Sequence, residues 1–146
     1  IGCWGVSNFD IQDMTRLLNI PGGENCRINQ VLYNCQSRGI EYRLISLCQQ
    51  AGVSLMAYSP LGGAGAPLLK APVLQRIAAE HGTDASVIAL AWILLQKNMT
   101  AIAETGNPEH AQRNALASGI TLSAADIAAI NGVFPPPTSK QPLDRR

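Results

Sequence analysis

Short apolar runs that stop abruptly at polar or glycine residues recur four times along this chain, each followed by apolar positions at helical spacing. In the first, Gly5-Val6 leads into Ser7-Asn8-Phe9. Ile11, Met14, Leu17 and Leu18 then repeat every three to four residues behind Asp10, a residue type that caps helix starts. Asp13 favours the positive end of that helix, and Pro21-Gly22-Gly23 stops it. The second run covers about 27–33, with Asn29 and Gln30 embedded in it. Ile40, Leu44, Leu47, Cys48 and Ala51 mark the buried stripe of the helix that follows, up to Gly52. The third run, about 53–58, breaks after Ala57-Tyr58 into Ser59-Pro60-Leu61-Gly62-Gly63. A short helix from Pro72 to His81 comes next, then a long one opened by Thr83 and carried by Val87, Ile88, Ala91, Leu94 and Leu95. The fourth run, about 99–103, exits at Glu104-Thr105-Gly106, with Asn107 as N-cap and Pro108 at the first position of a helix to about Ala117. Ser123 with Asp126 reads as a capping box for a last helix over about 124–132, beyond which Pro135-Pro136-Pro137 can only be extended.

Strand, polar exit, helix, four times over, is the grammar of βα units in a parallel sheet, and ligands are expected at the carboxyl ends of such strands. The Tyr58 segment is the most pointed of the four. A strand delivered into a glycine-permissive loop offers open backbone N–H groups to an anion such as a pyrophosphate, and a purely structural turn is the alternative. Trp92 is assigned to packing.

Composition narrows the function classes. The 146 residues are 47% hydrophobic and only 14% charged, with a formal net charge of +1. That balance describes a well-buried globular chain and argues against nucleic-acid or membrane-surface partners. No apolar run approaches the roughly 20 residues of a membrane helix. The chain opens at Ile1 without an initiating Met, so no signal peptide is read there and upstream sequence is expected. Cys3, Cys26, Cys35 and Cys48 lack C-x-x-C spacing, and a reduced, cytoplasmic protein is expected. Two histidines on different elements make no zinc site, and His81, preceding Gly82, is expected at terminal helix carbonyls. With no internal linker, residues 1–146 read as one domain whose tail, 134–146, lies extended on the surface.

Eight segments in order resemble the aldo-keto reductase family, in particular its bacterial small-aldehyde reductases: Gly5-Val6-Ser7-Asn8-Phe9, Asn29-Gln30, Arg38-Gly39-Ile40-Glu41-Tyr42, Ala57-Tyr58-Ser59-Pro60-Leu61-Gly62, Ala89-Leu90-Ala91-Trp92, Asn107-Pro108-Glu109-His110, Asn114 and Phe134-Pro135-Pro136. The resemblance implies a (β/α)₈ barrel, an architecture of about 250 residues. Four strand signals in 146 residues therefore correspond to half of it, a parallel (β/α) half-barrel of strands five to eight. The family's catalytic Asp, Tyr, Lys and His lie on earlier strands and have no match here. Tyr33, Tyr42 and Lys97 are wrongly placed to replace them.

By the same resemblance, Ser7, Asn8 and Gln30 hold a nicotinamide carboxamide, a group needing both donors and acceptors. The alternative is that Ser7 and Asn8 only satisfy nearby backbone. Tyr58 stacks on the nicotinamide ring, or is a core tyrosine; Ser59, Leu61 and Gly62 lie along the pyrophosphate. Around the adenosine stand Glu104, Thr105, His110, Arg113 and Asn114. The resemblance implies NADP(H), but Glu104 occupies the place of a Lys that grips the 2′-phosphate in many members. A carboxylate suits a free ribose 2′-OH, which leaves NAD(H) open. Arg113, where the family commonly has Glu, reads as a charge exchanged with position 104 and free for a phosphate. The expected function is the cofactor-binding half of an NAD(P)H-dependent reductase of small aldehydes or ketones. The isolated chain is expected to be inactive and to need a missing N-terminal half or self-association. The alternative is a non-catalytic nucleotide-binding or structural half-barrel.

Overall fold

The structure, a computed structural model, describes residues 3–63 and 67–144. Four strands, β1 (Trp4–Ser7), β2 (Cys26–Leu32), β3 (Ser54–Tyr58) and β4 (Met99–Ile102), pair in chain order, and every neighbouring pair is parallel. A parallel neighbour requires the chain to return to its starting end. Helices α1 (Ile11–Leu18), α2 (Leu44–Gln50), α3 (Pro72–Glu80) and α4 (Ala85–Leu94) lie in those returns, and α5 (Pro108–Ala115) and α6 (Ala124–Val133) follow β4. The register brings all four exits to one end: Ser7 lies opposite Gln30, Leu32 opposite Tyr58, and Tyr58 opposite Ile102. Gly5 allows β1 to lie this close to β2, because a Cβ there would stand 2.7 Å from the Ile28 carbonyl oxygen.

The two faces of the sheet differ. Leu55 pairs with Met99, and Val31 with Ala57, on a face buried among helix residues such as Leu74, Ile88 and Ile93. On the opposite face Met56 and Tyr58 are half-buried while their partners Thr100 and Ile102 are exposed. Parallel sheets are ordinarily covered on both faces, and β1 and β4 are open edges as well.

The expected capping box of Ser123 with Asp126 forms on α6, and Asp10 caps α1 as expected, with Asp13 completing a second box that the sequence reading did not include. Trp92 packs as expected, 3% exposed, with its ring 5.2 Å from Tyr33 and under the Arg38 guanidinium at 4.9 Å. Other expectations need correction. The helix expected from Ile40 is split into a 3₁₀ turn, Gly39–Glu41, and α2, because Arg43 takes a left-handed φ of 89°. Asp84 rather than Thr83 is the N-cap of α4. The helix expected to reach Ala117 leaves α geometry after Ala115 and tightens into a 3₁₀ turn, Leu116–Gly119. His81 places its ring 3.1 Å from the Asp126 carboxylate instead of on terminal carbonyls.

Cys26, Cys35 and Cys48 are buried free thiols, and burial pushes Cys35 up to about 12 and Cys48 up to about 11. Among the described residues no group of three His, Cys, Asp or Glu could hold a metal, and no single helix is long and apolar enough to cross a membrane. Residues 64–66 of the glycine-rich loop and the first two residues lie outside the described residues, as do the last two of the tail.

Candidate functional site

At the exit of β1, Asn8 turns the chain through a left-handed φ of 57°, a conformation Asn tolerates better than most residues. Its backbone N–H donates to the Gln30 carbonyl at 2.8 Å, and the Asn29 side chain clamps the next residue, donating to Phe9 O at 2.8 Å and accepting from Phe9 N at 3.3 Å. This fixed turn presents Ser7 and Asn8, which join Tyr58 of β3 in one hydrogen-bonded series. The Tyr58 hydroxyl donates to Asn8 Oδ1 (3.1 Å), Asn8 Nδ2 to Ser7 Oγ (3.3 Å), and Ser7 Oγ to the Gln30 carbonyl (3.2 Å). Every donor points the same way, which orients the Asn8 amide and links β1 to β3 across the intervening strand. Lys140 of the tail approaches to 3.6 Å of Asp10, whose carboxyl is held below its usual range, chiefly by the Asp13 backbone N–H.

Beyond Tyr58, Ser59 adopts a left-handed φ of 48°. The buried Asn34 holds its carbonyl, Nδ2 donating at 3.0 Å, while the Gly62 N–H closes a turn onto the same carbonyl at 3.0 Å. Gly62 and Gly63 follow at φ 86° and 84°, which side chains rarely adopt. Two clefts border this loop. One, about 1080 Å³, is lined by Tyr58, Ser59, Leu61, Gly63 and the exit of β4 through Gly106. The other, about 540 Å³, lies between Leu61, the end of α3, the start of α4, and α5. They meet at Leu61, Leu69, Glu104 and Thr105, so they form one trough.

The expected site residues distribute along it. Tyr58 and Ser59 line the larger cleft, His110, Arg113 and Asn114 the smaller, and Leu61, Glu104 and Thr105 both. Ser7, Asn8 and Gln30 line neither and join through the Tyr58 hydroxyl; Gly62 shapes the turn without lining either. Arg113 is not free as expected. Its Nη1 donates to Asp84 Oδ2 at 3.1 Å, so the exchanged charge answers Asp84 and not Glu104.

Asp84, Ser86 and Gln75 are lining residues that sequence reading missed. The signal for Asp84 and Ser86 was topological: a crossover helix running back along a parallel sheet begins at the end where strands finish, so its first residues face the same ligands as the strand exits. The residues weighed as catalytic substitutes lie elsewhere. Tyr33 is fully buried and donates to Glu41 at 2.8 Å, and Lys97 precedes β4, at the opposite end of the sheet from the strand exits.

Comparison with known proteins gives a consistent picture. The aldo/keto reductase family model matches residues 1–134. Methylglyoxal reductase YeaE of Escherichia coli is 43% identical over 144 residues, covering 97% of this chain and 51% of YeaE. Glycerol 2-dehydrogenase (NADP(+)) of Saccharomyces cerevisiae is 34% identical over 130 residues, covering 88% and 40%. The crystal structure of an aldo-keto reductase from Klebsiella pneumoniae in complex with NADPH superposes with a TM-score of 0.95 at 39% identity, over 99% of this chain and 52% of that one. The chain thus spans about half the length, or less, of the curated relatives it matches.

Proposed function

The chain belongs to the aldo/keto reductase family, and we propose that it is the cofactor-holding half of an NADP(H)-dependent oxidoreductase that reduces small aldehydes, ketones or dicarbonyls to alcohols. The observation that carries this reading is the Tyr58–Asn8–Ser7 series at the head of a trough that runs past left-handed glycines to a polar cleft. Its chemistry fits a dinucleotide. An amide and a hydroxyl suit a carboxamide, a half-buried tyrosine ring suits a flat heterocycle, and Gly62-Gly63 admit close approach of backbone to a pyrophosphate. The NADPH of the Klebsiella protein and the methylglyoxal of the YeaE name support the cofactor and the substrate class.

When bound, the reduced nicotinamide supplies the hydride that goes to the substrate carbonyl carbon. Ser7, Asn8 and Gln30 orient its carboxamide, Tyr58 packs on its ring, and Ser59, Leu61 and Gly62 flank the pyrophosphate. Thr105, His110 and Asn114 border the adenosine. Glu104, a carboxylate beside the expected 2′-phosphate position, keeps NAD(H) as a second cofactor. The proton for the carbonyl oxygen comes from the family's Tyr, assisted by Lys, His and Asp, on strands outside these 146 residues. In this reading β1 to β4 are strands five to eight of the barrel. The uncovered sheet face and the two open edges favour it, since four further strands would cover both. The same edges support a second reading, in which two copies of the chain associate. We also place the whole chain in one domain with an extended tail, and in the cytoplasm, where its free thiols stay reduced.

Aldehyde-dependent oxidation of NADPH by the 146-residue chain alone tests the division of labour. General acid–base catalysis contributes roughly 10²–10⁴ in rate, so turnover should fall below detection. Steady turnover by a preparation proven to contain only this chain would show that its own residues supply the acid.

A further inference from the structure

We infer that Asp84 is a positioning residue for cofactor choice, setting through its ion pair with Arg113 how strongly the smaller cleft accepts a 2′-phosphorylated adenosine. The inference rests on the cofactor reading above. Among the described residues lining that cleft, Arg113 is the one Lys or Arg, and two carboxylates, Asp84 and Glu104, line the cleft with it. Glu104 has no ion pair among the described residues, whereas Asp84 Oδ2 accepts from Arg113 Nη1 at 3.1 Å. A phosphate dianion entering the cleft must therefore take Arg113 away from Asp84 or sit near the unpaired Glu104 carboxylate with no cation of its own.

The pair is half-exposed, 46% and 51%, and an ion pair in that setting is weak, so Arg113 can be recruited, but less readily than an unpaired guanidinium. Asp84 thus lowers the advantage that a 2′-phosphate would otherwise gain from Arg113 and leaves an adenosine with a free 2′-OH nearly untouched. The position is open to substitution. Asp84 is the N-cap of α4 yet makes no side-chain capping bond, and Asn or Ser at this position caps at least as well.

The test uses adenosine 2′,5′-bisphosphate and adenosine 5′-monophosphate, titrated by NMR chemical shift against the 146-residue chain, whose residues line the whole cleft. In Asp84→Asn and in Asp84→Ser the bisphosphate should bind about fivefold tighter, with the monophosphate within about twofold, the scale of an exposed ion pair. Adding Arg113→Gln should abolish the gain, and raising salt to about 0.5 M should shrink it, because exposed charges are then screened. Equal changes for both nucleotides, no change, or a gain that survives Arg113→Gln overturns the role of Asp84 while nucleotide binding itself stands. Failure of the folded wild type to bind either nucleotide overturns the cofactor reading, and the role of Asp84 with it.

Discussion

Asn8 and Tyr58 each have a local explanation, a turn residue and a strand-end aromatic, and the 3.1 Å bond between them is what makes them one site. Sequence placed both at strand exits but could not show that the hydroxyl of one orients the amide of the other, since β2 lies between their strands. Glu104 poses the sharpest question at this scale. It lines both clefts. If it stands where a phosphate would be gripped, Glu104→Lys should tighten NADPH at least about tenfold and leave NADH nearly unchanged, charge-assisted phosphate contacts being worth about 1.5–3 kcal/mol. Fluorescence quenching of the tyrosines and tryptophans reads both affinities. A wild type that already prefers NADPH strongly, with no gain from the Lys variant, would assign the phosphate to Arg113 or His110.

Among the elements, the periodic and capping signals were the legible part. Ser7, Tyr58 and Ile102 end strands where the alternation broke, and Asp10 and Ser123 cap the helices they were expected to cap. The split before α2 was not legible. Ile40 and Leu44 keep their buried stripe, each 2% exposed, across a break at Arg43 that leaves the spacing of the apolar positions intact. The break goes with a long-range contact: Arg38 binds Glu41 through both ends of its fork at 2.8 Å and reaches Asn131 and the Phe134 carbonyl, 93 and 96 residues away. His81 shows the same limit, because its partner Asp126 is 45 residues on. That pair ties the end of α3 to the start of α6. Asp126 is held below its usual value, first by the Ser123 backbone N–H and then by His81 and the Ser123 hydroxyl. A depressed carboxyl stabilises the fold above its unfolded pKa of about 3.9 and loses that contribution as pH falls through the folded value. Asp126→Ala should therefore cost about 1 kcal/mol near pH 7, and the gap from wild type should close as the pH drops below about 3.9. Urea midpoints at several pH values measure it. A gap that persists unchanged at the lowest pH would mean that the carboxylate charge contributes nothing.

For the whole molecule, the parallel order and the common end of the strand exits were readable from four repeats of one pattern, whereas the uncovered face was not. Met56 and Thr100 alternate as strand residues do, and only the register shows that they share a face on which Thr100 and Ile102 are left exposed. A four-stranded parallel sheet with open edges calls for a cover, so sedimentation of the purified chain should show self-association or a complex with an upstream half. A stable, well-folded monomer of 15.5 kDa would contradict that expectation. The central claim, that the trough at the strand exits holds a nicotinamide dinucleotide, is tested most directly by residue-resolved NMR of the chain titrated with NADPH. Binding should shift the backbone amides of Ser7, Asn8, Gln30, Tyr58, Ser59, Leu61 and Gly62, and those of the non-proline residues from Glu104 to Asn114. Shifts confined to the opposite end of the sheet, or none at millimolar NADPH in a folded chain, would contradict it.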